Sequence, residues 1–61
     1  IELPLCVLND ADLRCFRHGN PFTRAEADDL LRVYGEDNVF WGVAERREGG
    51  DHWPRRVVVR E

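Results

Sequence analysis

The sequence predicts an α+β domain in ββαββ order, with a four-stranded, mostly antiparallel sheet and one helix (about 23–34) packed on one face. Three observations carry that expectation. Apolar, strand-like runs occur near both ends of the chain, Gly49-Gly50 separates the last two of them, and the segment from Thr23 to Gly35 has a helical start, spacing and stop. At 61 residues the chain is expected to form a single small domain, 1–61. A domain of that size buries only about 60% of the surface its unfolded chain exposes.

Each element has its reason. Leu3 to Leu8 is apolar at every position except Pro4, the pattern of a buried strand with Pro near its start. Asn9-Asp10-Ala11-Asp12 is a cluster of turn formers. Leu13 to Arg17 follows as a second strand, and a tight turn at Asp10-Ala11 sets Cys6 opposite Cys15, Leu8 opposite Leu13 and Leu5 opposite Phe16. A short helix from Asp10 to His18 is the alternative, set second because its apolar stripe is poor. Gly19-Asn20-Pro21 breaks the chain.

The helix expected next begins with a capping box, Thr23-Arg24-Ala25-Glu26, and a hydrophobic staple from Phe22 to Ala27. Ala27, Leu30, Leu31 and Tyr34 form its apolar face, Asp28 and Asp29 its solvated one, and Gly35 its end. Val39 to Arg47 and Arg55 to Arg60 then read as a hairpin closed by Gly49-Gly50. Centring the turn on those glycines pairs Trp41 with Val58, Val43 with Arg56, Phe40 with Val59 and Arg46 with Trp53. Alternation sorts the hairpin into a core face (Phe40, Gly42, Ala44, Trp53, Val57, Val59) and an open face (Val39, Trp41, Val43, Arg56, Val58, Arg60).

Composition narrows the function. The net charge is −3, and all nine basic residues are Arg. Residues 1–45 hold four Arg and nine acids, whereas residues 46–61 hold five Arg and three acids. The acidic balance argues against a general nucleic-acid binder, yet it leaves a basic end. Arg without Lys matches GC-rich coding and points to a bacterium or a phage. The chain opens at Ile1 and contains no Met, so a fragment of a longer chain is expected. No run approaches the roughly 18–20 apolar residues of a membrane span. A cytoplasmic protein without a membrane partner follows as the expectation.

The chemically capable residues are sparse. Cys6 and Cys15 read as buried thiols in preference to a disulfide. Cys6, Cys15, His18 and His52 have the wrong spacing for structural zinc, and Asp10-x-Asp12 lacks the remaining ligands of a calcium loop. On a strand, Cys15 and His18 would point to opposite faces, which argues against a nucleophile–base pair. No metal, no cofactor and no enzyme activity are therefore expected.

The segment from Cys15 to Leu31, with Gly19, Phe22, Ala25, Ala27 and Leu30, resembles the first strand-to-helix passage of a SPOR-type peptidoglycan-binding domain. The final hairpin lacks the second helix of such a domain, and no function is carried over.

The function expected is a small non-enzymatic protein-interaction module, an adaptor or inhibitor that docks on a protein partner or on a second copy through its open sheet face. Trp41 would anchor the contact, Val43 and Val58 would surround it, and Arg56 and Arg60 would supply rim hydrogen bonds. Burial of Trp41 in the core would end this reading. The alternative is nucleic-acid binding through the basic C-terminal hairpin, where Arg46, Arg47, His52, Arg55 and Arg56 cluster around Trp53. A third reading has the open face packing on the rest of a longer chain.

Overall fold

The computed structural model describes residues 3–24 and 27–58. Its elements are β1 (Leu5–Leu8), α1 (Asp10–Arg17), β2 (Leu30–Gly35), β3 (Phe40–Arg46) and β4 (His52–Val57). The strands form one sheet in the order β1-β2-β3-β4. β1 and β2 are parallel; the other two pairings are antiparallel. The α+β class, the four-stranded mostly antiparallel sheet and the lone helix are as expected. The helix lies elsewhere: the order is βαβββ, not ββαββ.

The first hairpin is replaced by the Asp10–His18 alternative. Asn9 caps α1, its Oδ1 accepting from the Asp12 amide at 2.8 Å. Asp10 and Asp12 lie in the first turn, and Arg14 and Arg17 in the last, which suits the helix dipole. At the far end, Gly19 takes a φ of 86°, its amide bonds to Phe16 O and the Asn20 amide to Cys15 O. That pair of bonds is a Schellman ending. The apolar stripe is poor because the helix is only eight residues long; Leu13 and Phe16 suffice to seat it.

The expected helix at 23–34 gives way to a loop and β2. Leu31, Val33 and Gly35 are buried while Leu30, Arg32 and Tyr34 are half-buried on the other side, an alternation of period 2. A short apolar run fits either period locally, and pairing on both sides decides it. Thr23 does not act as a helix cap here; its hydroxyl donates to Asp51 Oδ1 at 2.9 Å. Ala25 and Glu26 of the expected capping box lie outside the described residues.

Two bulges re-sort the faces of the final hairpin. Between β2 and β3 the register slips beside Val33 and Tyr34, so Gly42 pairs with Val33 and Phe40 with Tyr34. Trp41 is the extra residue. It turns inward and Phe40 turns outward, the reverse of the expected assignment. Gly42 makes this possible: its φ is 145°, and a Cβ there would sit 1.9 Å from Arg56 O. A second slip places Pro54 opposite Ala44 and Arg56 opposite Val43. The expected Val43–Arg56 pair is therefore present, whereas Trp53 faces Glu45 instead of Arg46. Pro54 is tolerated because β4 is an edge strand.

Leu8, Phe16, Phe22, Leu31, Val33, Trp41 and Ala44 make up the core on one side of the sheet. The loop between α1 and β2 is sewn onto the hairpin. Phe22 and His52 exchange both backbone hydrogen bonds, at 2.9 and 2.8 Å. Their rings stack with centroids 5.5 Å apart, and His52 Nε2–H donates to Asp28 O at 2.8 Å. The Arg46 guanidinium donates to Arg24 O and Ala27 O.

Candidate nucleic-acid interface

The structure divides the basic residues into those it spends on folding and those it leaves at the surface. In the C-terminal hairpin, His52 is fully buried and Arg46 holds loop carbonyls. Arg47 and Arg55 flank Glu45, at 3.3 and 3.4 Å from its two carboxylate oxygens. Arg47 also lies over the Trp53 ring, 5.8 Å from its centroid. Arg56 is exposed. Five basic groups in sequence thus become three at the surface, two of them sharing the single carboxylate of Glu45.

The second half of α1 differs. Arg14, Arg17 and His18 are all exposed, and their spacing of i, i+3 and i+4 puts them on one side of the helix. Among the described residues no carboxylate pairs with any of the three. An open groove of about 340 Å³ runs beside them, lined by Asp10, Leu13, Arg14, Arg17 and His18. Trp41 lies beneath: the Arg17 guanidinium sits 4.3 Å from the Trp41 ring centroid. That cation–π contact holds the exposed Arg17 guanidinium against the ring. Of the two first-turn acids, Asp12 is engaged by Arg24 at 3.2 Å, which leaves Asp10 as the acid at the groove.

The residues expected to anchor a partner are dispersed. Trp41 is 9% exposed and belongs to the core, because the bulge at Gly42 rotates it inward. Val43 is half-buried on the opposite, outer side of the sheet, paired with the exposed Arg56. Val58 is half-buried just beyond β4, and its amide donates to Trp41 O at 2.9 Å. Arg60, like Val59, lies outside the described residues. The strand expected over Leu13 to Arg17 does not bring Arg14, Arg17 and His18 together; the helix does. Asn9 and Gly19, a cap and a stop with nine residues between them, are the signals that mark the helix and hence its basic side.

The two cysteines are separate free thiols, Cys6 half-buried on β1 and Cys15 exposed on α1. Burial pushes the Cys6 thiol above its ordinary value, with the Arg24 guanidinium opposing. Among the described residues, no three His, Cys, Asp or Glu side chains converge on a metal-sized site, and no helix is long and apolar enough to cross a membrane.

Comparison with known proteins supplies the context for this surface. Residues 4–58 match the family described as Pseudouridine synthase II TruB, C-terminal. The chain is 38% identical over 64 aligned positions to tRNA pseudouridine synthase B of Idiomarina loihiensis, covering 98% of this chain and 20% of that protein. It is likewise 38% identical over 58 positions to tRNA pseudouridine synthase B of Dechloromonas aromatica, covering 93% and 19%. The chain therefore spans about a fifth of the length of these curated relatives.

These matches correct the functional expectation. A non-enzymatic adaptor or inhibitor is overturned, and so is the expectation that the sequence stands apart from enzymes, because both relatives are enzymes and the family model is that of an enzyme's C-terminal part. The SPOR resemblance fails as well: residues 15–31 run from the end of a helix into a strand, the reverse of a strand-to-helix passage. With nearly its whole length matched, the chain belongs to the family of TruB pseudouridine synthase C-terminal domains.

Proposed function

We propose that this domain holds RNA for a tRNA pseudouridine synthase of which it is the C-terminal part. The observation that carries the reading is the side of α1 bearing Arg14, Arg17 and His18, exposed and unpaired with any carboxylate among the described residues. Phosphates are bound by such uncommitted cations, and their contacts position a nucleic acid without reading its sequence. The names of the relatives support tRNA as the substrate class. In this account the domain adds affinity and orientation, and the protein works in the cytoplasm beside its tRNA.

The hairpin contributes a second, weaker contact. Arg56 is exposed and Trp53 is half-buried, with Arg47 over its ring. Glu45 reduces the field of Arg47 and Arg55, so the helix surface dominates.

The test uses the intact synthase with Arg14→Glu and Arg17→Glu together. Affinity for tRNA should fall by about tenfold or more at moderate salt. Reversal of Arg47 and Arg55 should have the smaller effect. Unchanged tRNA affinity in the helix variant, with its circular dichroism intact, would refute the proposal.

A further inference from the structure

The outer side of the sheet, the side away from the core, is apolar where it meets β1. Leu5 and Val7 are 51% and 44% exposed, the two large hydrophobic residues most open to solvent among those described. The register extends each of them across the sheet. Val7 pairs with Tyr34 and Tyr34 with Phe40; Leu5 pairs with Arg32, Arg32 with Val43, and Val43 with Arg56. The apolar area is thus concentrated at the β1 end of the face, while Glu45, Trp53 and Arg56 occupy the β4 end.

Two further features say that β1 is not meant to face water. It pairs in parallel with β2, and parallel strands are ordinarily covered on both faces, which is why they read as continuous apolar runs. Leu3 to Leu8 is such a run. Cys6 and Leu8 satisfy it on the core side only. β1 is also an edge strand. Exposed edges are normally guarded by charge, bulges or Pro within the strand, and Leu5–Leu8 has none of these.

Resting on the family assignment, we infer that this face is the seat of the preceding part of the same polypeptide, docked in cis on Leu5, Val7 and Tyr34. The length of the relatives argues for that occupant. About four fifths of such a protein lies outside the matched segment, and the matched segment is the C-terminal one. The exposed residues lie on β1, the first strand of the matched segment. A tethered partner has an effective concentration in the mM range, which a second copy or a separate protein reaches only when abundant. The contact described is packing within one enzyme; it orients the α1 surface relative to the rest of the synthase.

Hydroxyl-radical footprinting of the intact synthase tests this, with oxidation of Leu5, Val7 and Tyr34 read by mass spectrometry. If the face is docked in cis, these residues are oxidised roughly tenfold more slowly than their exposure in the domain implies. The protection should persist without RNA and on dilution of a monomeric sample. Leu5→Asp with Val7→Asp should release it, raising oxidation of Tyr34 while the buried Leu31 and Val33 stay protected, which shows the domain still folded. Unprotected Leu5 and Val7 in the wild type would overturn the inference. Protection lost on dilution would assign the face to a second copy, and protection appearing only with tRNA would assign it to RNA; either result also overturns it. Loss of tRNA binding in the Arg14/Arg17 variant is independent of all these outcomes, so the two proposals fail separately.

Discussion

Gly42→Ala is expected to be among the most damaging single-methyl additions to this domain. The residue sits at the bulge that turns Trp41 into the core, with a φ of 145°. An added Cβ would lie 1.9 Å from Arg56 O and 2.9 Å from Arg56 C. Both atoms are backbone, so no side chain can swing aside. Backbone strain in this Gly-only region costs about 1–3 kcal/mol. The clash adds to it, because relief means pulling β4 away from β3 or reversing the bulge, which would bring Trp41 out of the core. A total of about 3–5 kcal/mol is expected. Small domains have a stability of roughly 0.05–0.15 kcal/mol per residue, so the variant should lose a large part of its stability or all of it. Urea unfolding of the 61-residue chain, followed by tryptophan fluorescence, reads the change. A variant within about 1 kcal/mol of wild type would show that Gly42 is replaceable and that the bulge does not hold Trp41 in place.

Other substitutions test single contacts. Trp41→Ala should cost about 3–5 kcal/mol in the same urea assay, since the ring belongs to the core; a near-neutral result would restore Trp41 to the surface. His52→Phe keeps the stacking on Phe22 but removes the donor to Asp28 O, so a loss of about 1–2 kcal/mol is expected, with faster amide exchange in the loop that precedes β2. Cys6 ties stability to pH. Its thiol is held above the ordinary value by burial, so the folded state keeps its proton longer than the unfolded chain does. Stability is then full below the unfolded thiol value of about 8.5 and declines as pH rises toward and through the raised folded value. Cys6→Ala should remove that alkaline decline in urea midpoints measured across the range, and a decline that persists in full would contradict the assignment to Cys6.

The sequence was legible where local signals and tertiary structure agree. Gly49 and Gly50 do close the last hairpin, at φ values of 102° and 90°, and the Val43–Arg56 pair survives into the structure. Class and strand number followed from those runs and turns. What local reading could not reach was pairing. Leu30, Leu31 and Tyr34 fit a helical stripe as well as an alternating strand, and only β1 and β3 on either side choose between them. A parallel partner 27 positions along the chain, as Leu5 is to Arg32, leaves no turn signal. The bulge at Trp41 hid behind ordinary alternation, although a Gly inside a strand is the usual mark of one. The basic hairpin reads as a surface cluster because the placement of Arg46 and His52 depends on the loop before β2, where the local pattern predicts a helix. The α1 surface escapes a local reading for the converse reason: with residues 13–17 on a strand, Arg14, Arg17 and His18 do not share a side.

NMR titration of the isotope-labelled chain with tRNA tests the central claim most directly. The account predicts amide and side-chain shifts concentrated at Leu13 to Gly19, strongest for Arg14 and Arg17, that weaken as salt is raised, with smaller changes at Arg56. Shifts confined to Leu5, Val7 and Tyr34, or none at low ionic strength, would contradict it.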